Sequence, residues 1–249
     1  MASDKKTILD LESPGSSPGK KAPFSRNTAV HLFMAAPVFL FYHLGLLVSP
    51  KAANGVDIVT RSMGRLAGLS WPVYLAVFLG LIIIYALVWR SFSRKHSFNP
   101  KQLTFLLMES GLYALLMGPV AGLLLSKLHV LGPSLDKMGP IDRIVASAGA
   151  GFYEELIFRL VALGGFLKLA KNYKMKKWLA VFLGVTITSL IFSSVHYIGA
   201  GSDPFDMGSF VYRAVLGCFL SGIFLLRGFA TAVWSHALYD VYVMVILMG

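Results

Sequence analysis

Beyond residue 28 the chain alternates long apolar blocks with short polar joints. Seven blocks stand out, at about 29–49, 71–89, 103–125, 147–168, 178–198, 208–226 and 228–248. Each holds roughly 19–23 residues, enough for a helix to cross a ~30 Å hydrocarbon core. The third and fourth are interrupted by Gly and Pro, which membrane helices tolerate. The pattern predicts an all-α fold, a polytopic transmembrane helical bundle of about seven spans. Between the first two blocks, segment 50–70 carries Asp57, Arg61 and Arg65 among apolar residues and reads as an interfacial helix. No internal repeat is visible.

Composition sharpens this picture. Of 249 residues, 56% are hydrophobic and 14% charged, against roughly a quarter charged in soluble domains. Residues 1–28 are polar and rich in Ser, Pro, Gly and Lys, and read as a disordered cytoplasmic tail. The tail is too long and irregular for a signal-peptide n-region, so the first span is expected to stay in the mature protein. Residues 29–249 then form one membrane domain, with its chemistry in about 140–249.

The net charge of +11 does not point to nucleic acid, because the basic residues sit in short joints between apolar blocks. With the tail inside, fifteen Lys and Arg fall on the inner side and six on the outer, while Arg159 and Arg213 lie within spans. That bias predicts a cytoplasmic N-terminus, as in a bacterial inner membrane. Loop 199–207, with Asp203 and Asp206 and no basic residue, fits the outer side. The single cysteine, Cys218, sits in a small-residue stretch with Gly217, Ser221 and Gly222, and reads as a close helix contact rather than a nucleophile.

Ionisable groups inside a span are costly, and each one is a functional hypothesis. The fourth block contains Glu154-Glu155-Leu156-Ile157-Phe158-Arg159. Glu155 and Arg159, at i and i+4, share a helix face in the favourable order for an ion pair. Glu154 is rotated about 100° away and is expected to point elsewhere, which leaves it free to act as a general base. The plainer reading is a buried ion-pair network between helices. The fifth block ends in Phe192-Ser193-Ser194-Val195-His196, where Phe192 could wall a pocket one turn before the histidine. The seventh holds His236-Ala237-Leu238-Tyr239-Asp240, with His236 and Asp240 on one face, suited to metal binding, proton transfer or a packing hydrogen bond. The chain has no H-E-x-x-H zinc motif and no G-x-S-x-G elbow.

These three motifs resemble those of the CPBP family, the CAAX protease and bacteriocin-processing (Abi) intramembrane proteases: E-E-x-x-x-R, then F-x-x-x-H, then H-x-x-x-[N/D], on separate helices. They match EELIFR at 154–159, FSSVH at 192–196 and HALYD at 236–240. The resemblance implies an intramembrane endopeptidase. Glu154 would activate a water, with Glu155 and Arg159 orienting the site and Phe158 and Phe192 lining the pocket. His196 and His236 would position the water or polarise the scissile carbonyl, and Asp240 would help stabilise the oxyanion. The family has been described as metal-dependent and as metal-free. The expectation here is no obligatory cofactor, with zinc on His196, His236 and Asp240 as the alternative. Many members have Asn where this chain has Asp240. An ionised Asp cannot donate to an oxyanion, so Asp240 either is neutral, orients His236 or ligates a metal.

Helical rise puts Glu154 roughly 10 Å, Asp240 roughly 12 Å and His196 roughly 3–5 Å below the outer boundary, with His236 deeper. The histidines therefore lie at different expected depths. An outer-half site favours a membrane-anchored protein or peptide substrate, such as the C-terminal sorting anchor of an exported protein, over a cytosolic prenylated one. Some bacterial members, the myxosortase-like branch, are thought to process such signals. Two other classes compete: an ion-coupled transporter with a carboxylate–His relay, and a non-catalytic immunity or assembly protein. No broken-helix repeat supports the transporter. The catalytic reading requires Glu154, His196, His236 and Asp240 to converge on one pocket, and Glu155 to pair with Arg159.

Overall fold

The computed structural model describes residues 28–57, 71–93, 100–125, 138–198 and 202–248. Within them each of the seven apolar blocks falls on a helix. They are α1 (Thr28–Val48), α2 (Trp71–Ser93), α3 (Pro100–Leu124), α4, α5 (Lys177–Val195), α6 (Met207–Arg227) and α7 (Phe229–Val241, continued by a π-helical Tyr242–Leu247). Helix α4 is one continuous rod in three stretches: Pro140–Gly149, a π-helical Ala150–Leu163 and Gly164–Asn172. It is longer at both ends than the block at 147–168. Five helices, α1, α3, α5, α6 and α7, are long and apolar enough to cross a membrane, and α2 carries a shorter apolar stretch, Leu75–Leu87. The protein is an all-α, polytopic membrane bundle. The tail expected to be disordered falls, up to residue 27, outside the described residues.

Large apolar side chains cover the outside of the bundle, among them Leu44, Ile83, Leu123, Trp178 and Leu226. A soluble protein would bury such residues, whereas a bilayer solvates them. The polar atoms go inward. Helix α7 is the axis: it packs against α1, α3, α4 and α6, and nearly every residue from Phe229 to Ala237 is buried. Its sequence, FATAVWSHA, explains this, because Ala, Thr and Ser let neighbouring backbones come close on every side. Trp234 Nε1 donates to the Met34 carbonyl at 2.8 Å and ties α7 to α1.

Two glycines make the arrangement possible. Gly228 alone joins α6 to α7, at φ +91° and hard against the His31 ring. L-residues rarely adopt that conformation. Gly151 lies where α4 meets α7, and a Cβ there would fall 2.6 Å from Ala237 Cβ and 2.8 Å from its backbone nitrogen. Backbone-to-backbone contact at this point brings the Glu pair of α4 to His236.

Of the segment expected to form an interfacial helix at 50–70, the described part, 50–57, differs. Pro50–Ala52 forms a single 3-10 turn, residues 53–57 are irregular, and 58–70, with Arg61 and Arg65, lie outside the described residues. Asp57 explains the difference. It is fully buried and accepts a hydrogen bond from Tyr42 Oη at 2.9 Å, which folds the segment back onto α1. Cys218 also departs from expectation. It is exposed while its neighbour Gly217 makes the close contact, against Ser189 and Phe192.

Gly151→Ala should lower stability by about 1–3 kcal/mol, because the clash is with α7 backbone and cannot be relieved by a rotamer change. Thermal unfolding of the detergent-solubilised protein checks this, and an unchanged melting temperature would contradict the close α4–α7 contact.

Candidate active site

The two glutamates of α4 do not diverge as expected. Glu155 Oε1 lies 2.8 Å from His236 Nδ1, and Glu154 Oε2 lies 3.9 Å from Nε2 of the same ring. The rotation between neighbouring positions sets the carboxylates on either side of one imidazole instead of aiming one away from it. This part of α4 is π-helical, a conformation frequent at functional sites because it re-aims side chains that a regular helix would line up.

Glu155 is also 3.2 Å from Arg159 Nη1, so the expected ion pair forms. Arg159 is 1% exposed. Its Nη2 donates to the Gly217 carbonyl at 3.2 Å, and its guanidinium lies 4.4 Å from the centroid of Phe192, a cation–π distance. One buried cation is thus held by a carboxylate, a carbonyl and a ring face from three helices. Phe192 also contacts both histidine rings edge-on, at 5.2 Å for His196 and 6.0 Å for His236.

Both histidines are held in one orientation. His196 Nδ1 is 2.9 Å from the Phe192 carbonyl. A carbonyl only accepts, so Nδ1 carries the proton and Nε2 faces away. Glu155, paired with Arg159, orders His236 in the same way. His196 Nε2 lies 3.9 Å from Glu154 Oε2, matching the His236 distance. The expected difference in depth does not keep the histidines apart, because the helices bring both rings to one carboxylate oxygen. Asp240 Oδ2 lies 3.6 Å from His236 Nε2, too long for a hydrogen bond. The group that bonds and orients His236 is Glu155, which removes that role from Asp240.

In front of these groups lies a cavity of about 520 Å³ lined by Glu154, His196, His236, Asp240 and Phe192. Its walls include Met117, Leu216, Leu220 and Val243, and Arg213 and Asp203 also line it. Arg213 pairs with Asp203 at 2.5 Å and donates to Tyr197 Oη at 2.7 Å. The expected convergence of four ionisable side chains on one pocket is found. Phe158 does not line this cavity. It is buried behind Phe192, at 5.4 Å between ring centroids, because its position on α4 turns it toward α5.

The donor types facing the cavity are ones zinc accepts. Among the described residues, no three His, Cys, Asp or Glu side chains gather as a metal-binding group. No step below runs through a metal.

Residues 138–242 match the family described as type II CAAX prenyl endopeptidase Rce1-like. This part of the chain is similar to the Rce1-like family. The match includes every residue of the three motifs. No curated protein and no solved structure matches the chain. The matched family is one of endopeptidases, and this similarity supports a protease acting on a membrane-associated protein or peptide.

The motifs did not reveal Asn54. Its Nδ2 donates to Glu154 Oε1 at 2.9 Å, from a position outside the Rce1-like segment. The available signal was the Asn54-Gly55 turn pair directly after the first span.

Arg159→Lys should destabilise the protein by about 1–3 kcal/mol, because an ammonium keeps the charge but cannot serve a carboxylate, a carbonyl and a ring face together. The melting temperature in detergent reads this directly. A Lys variant as stable as the parent would show that the planar fork is dispensable.

Proposed function

We propose that the protein hydrolyses a peptide bond in or near a membrane-anchored segment, with Glu154 as the general base that activates a water. One observation carries the reading: two histidine Nε2 atoms, each held in orientation from behind, face a single Glu154 oxygen at the wall of the cavity. A distance of 3.9 Å is too long for a direct hydrogen bond, and a water beside the line between the atoms can touch both.

Each group then has a role that its surroundings support. Glu154 Oε2 takes a proton from the water as the oxygen attacks the scissile carbonyl carbon. His196 has one carboxylate neighbour and a Nδ1–H held by a carbonyl, so its Nε2 accepts from the same water. His236 has Glu154, Glu155 and Asp240 around it, and in its positive form Nε2–H donates to the oxyanion of the tetrahedral intermediate. Asp240 supports that charge through His236 and, when neutral, donates to the same oxygen. Collapse of the intermediate breaks the C–N bond, and the proton on Glu154 passes to the departing amine. Glu155 and Arg159 hold His236 and stay out of the reaction. This mechanism has no obligatory metal.

The apolar walls of the cavity suit an apolar segment, and the charge bias along the chain supports a site in the outer half of the bilayer. The favoured substrate is therefore the C-terminal sorting anchor of an exported protein, as in the myxosortase-like branch. The family match favours a second substrate, a prenylated CAAX-box peptide.

The purified chain in proteoliposomes is assayed with two internally quenched probes: a farnesylated CAAX-box peptide, and an apolar anchor peptide with a basic C-terminal end. Cleavage of the anchor peptide in preference supports the sorting reading, and the reverse preference replaces it. Glu154→Gln should reduce kcat on the cleaved probe by about 10²–10⁴-fold, and near-parental activity would sink the mechanism. Activity should survive exhaustive chelation. Loss with chelator and return with zinc would make His196, His236 and Asp240 ligands instead.

A further inference from the structure

Glu154 is the first residue of the E-E pair, but nothing in the Rce1-like motifs accounts for its other oxygen, Oε1. The terminal torsion of a glutamate is broad and roughly two-fold, so the carboxylate keeps one oxygen on the histidines only if an external group holds the other. That group comes from the segment after α1. Asn54 Nδ2 donates to Glu154 Oε1 at 2.9 Å. Asn54 Oδ1 accepts from the Val56 backbone N–H at 2.8 Å. An N–H can only donate, so the amide cannot be turned round, and its NH₂ is the end that faces Glu154.

The segment itself is anchored. The Asn54 backbone N–H donates to Tyr42 Oη at 3.0 Å, and Tyr42 donates to the buried Asp57 at 2.9 Å. The Asp57 N–H donates in turn to the Asn54 carbonyl at 3.2 Å. The Tyr42 ring lies against Gly149 of α4, where a Cβ would approach it to 2.4 Å. Ala52, 1% exposed, is packed beneath the turn. The loop is therefore fastened at Tyr42 and Asp57, on both sides of Asn54, and the amide is presented to Glu154 from a fixed backbone.

We infer that Asn54 is a positioning residue for the endopeptidase, holding Glu154 Oε1 so that Oε2 faces the two histidines and the reacting water. The inference rests on Glu154 being the general base. It extends the site to a segment roughly a hundred residues upstream (|i−j|=100) of its partner, outside the family match. An amide suits the task. It donates to the carboxylate as Lys or Arg would, but adds no positive charge to compete with the water for the base.

The experiment uses the full-length chain and the two probes above. Asn54→Asp keeps the shape and the acceptor for Val56 N–H but sets a carboxylate against Glu154. It should lower kcat roughly 10–100-fold, as expected for losing a hydrogen bond to a charged group, with KM unchanged. It should also lower the melting temperature. Adding Glu154→Gln to Asn54→Asp reverses donor and acceptor across the same contact and should restore the melting temperature. Parental kcat in folded Asn54→Asp overturns the inference. Melting shifts of the two substitutions that simply add also overturn it, because the side chains would then not touch. A fall in rate that follows only the loss of folded protein reduces Asn54 to a structural residue. Failure of the parental chain to cleave either probe has a different meaning: it removes the endopeptidase reading, and the positioning role with it, while the melting shifts still report the contact.

Discussion

Arg159 carries a full positive charge into a bundle whose outside is built for hydrocarbon, and the site is organised around satisfying it. An uncompensated guanidinium at that depth costs several kcal/mol. Glu155 neutralises it, the Gly217 carbonyl takes one N–H, and Phe192 covers its face. These partners come from α4, α6 and α5, so the ion pair fixes the mutual placement of three helices. Glu155 then uses the same oxygen to hold His236 on α7. Without Arg159, Glu155 would be an unpaired buried carboxylate beside an imidazole, and His236 would have no reason to keep one orientation.

The division between the adjacent carboxylates follows. Glu155 is 0% exposed and tied to Arg159 and His236, whereas Glu154 is 6% exposed and borders the cavity. Two residues of one type in sequence take opposite roles because one faces a cation and the other a space. The π-helical stretch Ala150–Leu163 and the close approach at Gly151 allow it, since they bring both side chains to a single ring on α7. The histidines obey the same logic. Each is held at Nδ1 by an acceptor behind it, the Phe192 carbonyl for His196 and Glu155 for His236, and each presents Nε2 to the same oxygen.

The surrounding bundle serves this centre in a way a soluble fold could not. Polar side chains that hydrocarbon would expel collect around α7, whose small residues allow four neighbouring helices to approach it. Arg213, which lines the cavity, is held by Asp203 and Tyr197. The acids of loop 202–206 have structural tasks: Asp203 pairs with Arg213, and Asp206 caps α6 by accepting from the Ser209 N–H at 2.7 Å.

The sequence by itself determined the helical membrane bundle, because long apolar blocks of this length satisfy their backbone in a bilayer as helices. It also determined the Glu155–Arg159 pair, because i,i+4 spacing on one helix is a local property. The three motifs named the ionisable side chains that meet in the cavity, since each is out of place in a span for any other purpose. Whatever depended on how helices lie against one another was decided only by the tertiary structure. Depth counted along separate helices set the two histidines apart, and packing brought both to Glu154. Ideal α-helical rotation sent Glu154 away from Glu155, and the π-helical stretch turned both toward His236. Asp240 shared a face with His236 in sequence, yet the hydrogen bond came from Glu155 on another helix. Asn54 was hidden for the same reason: its meaning lies in a contact between residues far apart in the chain, and no local periodicity records where a folded loop will place an amide.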